Sequence, residues 1–527
     1  MTRFIIAVLV GLLASVNAHA APFPQPNFAS CNFTVPTTFK NVWYIDPVKG
    51  HTMSAYTAAG VSLNPTVTPH QGDINHPWKD FNAVSTTIAN ARALGYTDPL
   101  MSAGIGPILG GDEVLLQSGT AAQYGAIGLG IYGFLSNTSG SYVVFQPAPG
   151  ATVTLASLNI GNVANLAFSG INIQSTGKFP LLTVGPGLGG NIVFDSMNIS
   201  TADTATTQMW TQAQWAAASN GVKFNVGPCV SFTNSHIFNV ATGVGYSGGT
   251  NIIFKNNEID HVSQDAIDFD GLDLLIQRNY VHDFPNAGVG DHIDAMRGVP
   301  GIPQIPQTQR VVIKDNTILW QVDPNLPFPT GSFVNGAIDA GGCCWTDYEV
   351  TNNKIYWPNF QHGISMDHCT NCMIENNTLA GGFIVLNGGD VNMLVKNNLA
   401  SGLDCKNGDQ AGVQMQNNIM YKGGNGMNIL CFGGVAQTLT SLTVPIGNNI
   451  VDSGGVLSEI TAASGTTFNF HLLPTAPARG AGTSVDYRPQ VDSLGNPLNS
   501  PPDVGAIQFR PRLGPKEVLK CQDCQMQ

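Results

Sequence analysis

The sequence predicts an all-β fold, a right-handed parallel β-helix (a solenoid) with an N-terminal capping helix. Three observations lead there. First, one short unit keeps returning: branched or aromatic residues in a strand, a polar pair rich in Asn, one more residue, then Ile, Leu or Met. Ile253-Phe254-Lys255-Asn256-Asn257-Glu258-Ile259 is a clear copy; 275–281, 312–318, 348–355, 373–379 and 394–399 repeat it, and 166–171 and 192–197 are fainter. Second, the copies are evenly spaced. Asn257 to Asn279, Asn353 to Asn377 and Asn377 to Asn398 are steps of 22, 24 and 21 residues, and a fixed period of this size marks coils stacked on one another. Third, charged residues make up only 11% of the chain while Gly numbers 60; exposed helix faces would carry more Glu, Lys and Ala.

Taken in order, residues 1–20 read as a secretory signal: Arg3, an apolar run from Phe4 to Leu13, then Ala18-His19-Ala20. No later apolar run is long enough to span a bilayer, so a soluble, exported protein is expected. Residues 21–150 form an N-terminal cap and the first rungs. There His76-Pro77-Trp78 leads into Phe81, Val84, Ile88 and Ala91, one stripe of a helix that ends at Gly95 and should cover the open end of the solenoid. The solenoid proper is 151–460. Two of its steps stretch to 37 residues because of inserts at 299–309 and 321–334; inserts in solenoids become loops, often on the binding face, so these should wall a groove. The rhythm fails near Thr461, and 461–510 should cover the last rung, with 511–527 a loose tail.

Several features read as structural. Stacked Asn side chains can hydrogen-bond along a solenoid, and Asn tolerates the left-handed backbone that tight turns need. Lys255, Lys314 and Lys396 form a column expected to be a solvated face. Export permits disulfides. Cys343-Cys344 lies one repeat before Cys369 and Cys372, so pairing between them is plausible, as is pairing of Cys405 with Cys431; Cys521 and Cys524 suit a local bridge or half a metal site. Gly128–Gly133 fits a dinucleotide fingerprint but has no βαβ unit around it, and the Gly-x-Ser-x-Gly at 245–249 has no following helix.

The chemistry concentrates between Gln264 and Gly298. Asp265-Ala-Ile-Asp268-Phe-Asp270 is echoed by Asp291-His292-Ile-Asp294, by Gly336-Ala-Ile-Asp339 and by His362-Gly-Ile-Ser365-Met-Asp367. Period-2 alternation buries Ile267, Ile293, Ile338 and Ile364 and turns the acids outward. In register, Asp268, Asp294 and Asp339 would then form one column, Asp270 beside Asp268 and His292 beside Asp294. Two bare carboxylates ~5 Å apart repel by about 3 kcal/mol at an effective dielectric near 20. Such a column must hold a cation, share protons or be split by a base. Ca²⁺, a hard ion with oxygen ligands, fits Asp268, Asp270 and Asp294. Two carboxyls could instead work as general acid and base, and backbone spacing allows both glycosidase geometries. His292 titrates near neutrality, and Arg297 can grip a carboxylate in bidentate fashion, provided the strand has ended before it. His362 and Asp367 are weaker candidates, placed to contact substrate. The net charge of −12 excludes a nucleic-acid footprint.

The export signal, the HPWKDF and GDEVLLQSGT segments, the Asn-centred rungs and the Asp-rich strands together resemble the secreted pectate-lyase-like β-helix superfamily, across most of residues 41–460. That superfamily contains polysaccharide lyases, glycoside hydrolases, uronan epimerases and non-catalytic surface proteins. Its lyases commonly use Ca²⁺ on Asp residues to neutralise a uronate, with Lys or Arg as base. No Lys is found on the same face in the same rungs, so the resemblance gives the base role to His292 or Arg297, with Asp294 and Asp339 as the remaining catalytic carboxyls. The expectation is a secreted, monomeric protein acting on a polysaccharide, with β-elimination on a uronic-acid glycan the leading reaction. Hydrolysis by paired Asp is second, and a glycan-binding adhesin without turnover is third.

Overall fold

The computed structural model describes residues 23–510 except 64–65, 82–107, 130–140, 162, 177–178, 186–189, 202–208, 226, 287–292, 299–308, 327–333, 343–344, 358–361, 406–412, 422–428, 433–434, 439–449, 453–456, 461–467 and 488–489. Each coil gives one strand to each of three parallel sheets, of 14, 12 and 11 strands among the described residues. The first sheet starts at Val42–Ile45, passes through Gly271–Gln277 and ends at Gln414–Gln416. The second runs from Thr154–Leu155 through Tyr280–His282 to Ile450–Asp452, and the third from Ala126–Leu129 through Ile293–Gly298 to Gly402–Cys405. Parallel strands joined by crossovers wind right-handed for the steric reason that governs βαβ units. This is the β-helix that the period predicts.

The corner between the first and second sheets explains the Asn pairs. The first member of each pair, or the residue in its place, takes the left-handed conformation: Asn256, Arg278, Asp315, Asn352, Asn376, Asn397 and Asn417 all have φ between 53° and 60°. The second member makes the ladder. Asn257, Asn279, Asn316, Asn353, Asn377, Asn398 and Asn418 are buried. Each of the first six gives its backbone N–H and its side-chain amide to the Oδ1 of the next, at 2.9–3.0 Å. Buried amides require partners, and here every rung supplies one to its neighbour. Inside, Phe145, Phe168, Phe194, Phe232 and Phe254 stack in file, with centroids 5.0, 5.5, 5.9 and 5.2 Å apart.

At the N-terminal end Trp43 and Trp78 are fully buried and stacked at 5.2 Å, and Phe81 lies against Phe145 at the head of the Phe file. The expected capping helix falls within 82–107, outside the described residues. Residues 23–39 form a strap over the first sheet, bonded through Gln25 to Glu349 and through Asn27 to Asp273, and tied by a Cys31–Cys229 disulfide. The C-terminal segment lies along the flank as well as near the last coils. Phe470 and Ile507 pack on Leu319, Tyr356 and Ala380 of the second sheet, while Val485 and Tyr487 cover Met373 of the first.

Two structural expectations are corrected. Cys369 bonds to Cys372 within its own rung, while Cys343 and Cys344 lie outside the described residues. Lys396 is not on a solvated face: it is 4% exposed and held between Glu375 (3.4 Å) and Asp486 (2.5 Å), because the C-terminal segment crosses there. No helix among the described residues is long and apolar enough to cross a membrane.

Candidate functional site

The third sheet carries the acidic strands, and its register decides what they form. Ile267 pairs with Met296, Met296 with Ile338, and Ile338 with Ile364. Strand Ile293–Gly298 is thus displaced by three residues from the phrase alignment, with an irregularity between Ile293 and Asp294. What stacks is a triplet of small, apolar and polar residues: Ala266-Ile267-Asp268, Ala295-Met296-Arg297, Ala337-Ile338-Asp339. The Ala and the apolar residue are fully buried in all three. Met296 fills the inward place as well as Ile does, since its unbranched chain adapts to the gap.

The outward column is therefore Asp268, Arg297, Asp339, Ser365, and the expected file of three carboxylates does not exist. The same shift turns Arg297 outward, which strict alternation from Ile293 would not. Its side chain is 39% exposed, and Nη1 lies 3.3 Å from Asp265. Asp294 moves to a second column, opposite Gly336 and, beyond it, His362. It is 0% exposed. Gly336 leaves it room: a Cβ there would stand 3.1 Å from Asp294 Oδ1, close enough that the carboxylate would have to shift by a few tenths of an ångström.

Burial and crowding set the ionisation. Asp268 is pushed up to about 8, mainly by burial and then by the neighbouring Asp265 charge, with Arg297 opposing. Asp294 sits well above the usual carboxylate range, again through burial first, then through Asp339 and Asp265; Arg297 and the Gly336 N–H only partly offset this. Asp265 accepts a hydrogen bond from the Asp294 N–H at 2.9 Å as well as facing Arg297. Burial works against the Arg297 charge, but Asp265, Asp294 and Asp268 prevail and hold it even more firmly protonated than usual. A guanidinium so placed can bind an anion but cannot serve as a base.

The other expected residues are less closely gathered. Asp270 is buried just past its strand. Asp268, Asp270 and Asp294 do not bring three ligand atoms within 4.8 Å of one another, so the proposed Ca²⁺ set is not assembled by this register. His292 lies outside the described residues, as do most of the two inserts expected to wall a groove. His362 is half-buried at the start of its strand, whereas Asp367 follows the strand and bonds to His368 at 2.6 Å. Lys223 is exposed on the same outward column, two strands before Asp268 with Gly245 between.

A second group of titratable residues lies on the second sheet. His236 stacks on Glu258, and Asp260 stacks on His282. Asp260 accepts from both His236 and His261. His282 bridges Asp283 at 2.6 Å and Glu258 at 3.2 Å. Here the carboxylate is pulled down: Asp260 falls below its ordinary range despite burial, through its two imidazole hydrogen bonds. His282 is pushed up to about 10, burial opposing and the Asp283 and Glu258 bonds prevailing.

No family model matches the chain, and no curated protein matches it. Solved structures do. The pectate lyase Pel9A is 13% identical over 90% of this chain and 97% of its own, with a TM-score of 0.34. PfbA, a surface adhesin of Streptococcus pneumoniae, is 14% identical over 65% of this chain and 92% of its own, at 0.35. The GH136 lacto-N-biosidase from Eubacterium ramulus is 11% identical over 78% of this chain and 67% of its own, at 0.37. At such identities the likeness concerns the fold, which the strand pairing establishes by itself.

Sequence reasoning missed Asp265 and Lys223 as members of the third-sheet site, and it missed the second-sheet group entirely. A signal for that group was present. His236, Glu258, Asp260 and His282 occupy the first and third positions after the corner residues Ser235, Asn257 and Asn279 in three successive rungs.

Proposed function

We propose that the third-sheet face hydrolyses a glycan carrying acidic sugars, with Asp268 as general acid, Asp339 as general base and Arg297 as the partner of a substrate carboxylate. The observation that carries this reading is the Asp268–Arg297–Asp339 column with Asp268 held protonated at neutral pH. A proton donor needs a raised pKa and a partner carboxylate on the other side of the scissile bond. Asp268 and Asp339 are two strands apart, about 10 Å at the backbone. That backbone separation lies just above the roughly 6.5–9.5 Å between carboxyls that inverting glycosidases use to seat a water, and well above the retaining spacing of about 5–5.5 Å. Behind burial, Asp339 helps to push the pKa values of Asp294 and Tyr348 upward by charge repulsion.

In the step, Asp268 gives its proton to the glycosidic oxygen as the C–O bond breaks. Asp339 takes a proton from water as that water attacks the anomeric carbon from the opposite face. Arg297 and, further along the column, Lys223 place positive charge for an acidic substrate on this face of a chain whose net charge is −12. His362 and Asp367 are proposed substrate contacts on the same sheet.

Hydrolysis fits better than β-elimination for one physical reason. Removing a carbon-bound proton needs a strong base or a metal beside the uronate; among the described residues Arg297 is held as a cation, and Asp268, Asp270 and Asp294 do not converge, so elimination would rest on His292, outside those residues. An exported setting suits the Cys31–Cys229 bridge. The test is a panel of neutral and acidic polysaccharides with two readouts. New reducing ends of inverted anomeric configuration, without the ultraviolet absorbance of an unsaturated uronate, are expected. That absorbance would establish elimination instead, and binding without either product would make the protein an adhesin.

A further inference from the structure

A cluster of potential metal donors lies on a different sheet from the proposed hydrolytic face, and its reading does not depend on that one. We propose that His236, Glu258 and Asp260 form a binding site for a divalent transition-metal ion of the zinc class. Three kinds of observation converge.

The first is donor placement. One ligand atom from each of these residues lies within 4.8 Å of the other two, and among the described residues this is the one such group of His, Cys, Asp and Glu. Parallel pairing brings it about: His236 stands opposite Glu258 on the adjacent strand, and Asp260 stands two residues along from Glu258, on the same face. Strand stacking and i,i+2 spacing thus bring three side chains to one point.

The second is donor chemistry. One imidazole nitrogen with two carboxylates is a mixed nitrogen and oxygen set. Ca²⁺ and Mg²⁺ prefer oxygen alone, whereas imidazole suits Zn²⁺, Ni²⁺ and Co²⁺. Two carboxylates balance the charge of a divalent ion. The His236 and Glu258 side chains are 29% and 34% exposed, which leaves an approach from solvent and room for water on the open coordination positions.

The third is the support behind the donors. Metal sites hold their ligands with outer hydrogen bonds that fix orientation. Both carboxylates have such support. His261 grips Asp260 Oδ1, which leaves Oδ2, facing His236 Nε2, as the ligand atom; an ion would take the place of the proton between that pair. Glu258 Oε1 is held by His282 Nε2 at 3.2 Å. The two supporting imidazoles are anchored in turn, His261 by Asp323 at 3.4 Å and His282 by Asp283 at 2.6 Å. Asp283 takes the backbone N–H groups of Val322 (2.6 Å) and Asp323 (2.8 Å). The donors are oriented before any ion arrives.

The experiment uses the full mature chain with Cys521→Ser and Cys524→Ser, to silence the thiols of the tail. Protein stripped with EDTA is titrated calorimetrically with ZnCl₂ and, separately, with CaCl₂. One Zn²⁺ per chain is expected, with no comparable Ca²⁺ uptake, and a Tm that rises with Zn²⁺ concentration. His236→Gln, at a partly exposed position, and Glu258→Gln should each weaken Zn²⁺ binding at least tenfold. Circular dichroism should show the β-helix intact in both. Zn²⁺ binding that is absent, or undiminished in both folded variants, would overturn the proposal. Equal affinity for Ca²⁺ would overturn the assignment to the transition-metal class.

Discussion

Two groups of charged residues, one on the third sheet and one on the second, are built from similar side chains on similar strands and reach opposite ionisation states. On the third sheet Asp268 and Asp294 are pushed towards their neutral forms; on the second Asp260 is pulled firmly into its charged form. Burial does not separate them, since Asp260 is as secluded as Asp294. What differs is the geometry of the basic partners. Each Asp260 oxygen meets its own imidazole. Arg297 instead gives its contact to Asp265, and Asp265 then repels the two remaining carboxyls. One arrangement locks charge in place, and the other leaves a proton available for transfer.

The strongest challenge to this contrast is Asp268→Asn. If Asp268 is the proton donor, kcat should fall by about 10²–10⁴ with KM little changed, as measured on whichever glycan the panel identifies. A variant with full activity would leave the third sheet without its acid.

Next in size is the shared scaffold. Asn316→Ala removes the acceptor for the Asn279 N–H and amide, and leaves buried polar groups unpaired. We expect a loss of roughly 3 kcal/mol in unfolding free energy, read by denaturant titration, from more than one stranded group at about 1–3 kcal/mol each. The pH profile of any remaining activity should not move.

Acidity itself gives a subtler test. If Asp268 is the proton donor, its protonated form is the active one and kcat should decline as pH rises through about 8. Arg297 lowers the Asp268 pKa, so Arg297→Gln should carry the declining limb to higher pH. Asp265 raises it, so Asp265→Asn should carry the limb to lower pH. Limbs that stay fixed in both variants would mean another group controls the profile. The same shift bears on stability: between the ordinary carboxylate pKa near 4 and about 8 the folded protein binds more protons at Asp268 than the unfolded chain. Stability contributed by this residue therefore falls with rising pH, and Asp268→Asn should flatten the dependence of Tm on pH across that window.

The smallest effect is at Lys223. As an exposed charge two strands from Asp268, its replacement by Gln should raise KM for an acidic glycan a few-fold at low salt and hardly at all at high salt.

Much of the fold could be read from Asn257, Asn279, Asn316, Asn353, Asn377 and Asn398, because a buried amide ladder puts one Asn at the same corner of each of these rungs. The acidic strands of the candidate site were legible in the sequence, but their register was not. Asp268, Arg297 and Asp339 could each be picked out from the Asp-Ala-Ile-Asp phrases. Aligning those phrases on Ile293 failed because an inward apolar place accepts Met296 equally well, and the cue that distinguishes them is the Ala one position earlier. Long-range groups left weaker traces. Nothing local to Lys396 announces that a segment ninety residues away will cover it, and the Cys31–Cys229 pairing spans 198 residues.

The Asn ladder crosses both 37-residue steps with the same 2.9–3.0 Å bonds that it makes across the short ones. Extra chain enters only at the two turns that border the third sheet, leaving the opposite corner untouched. The fold therefore keeps its vertical spacing on one edge while admitting new sequence on another. Sequence at those borders can thus be exchanged while the strands of the third sheet keep a constant pitch.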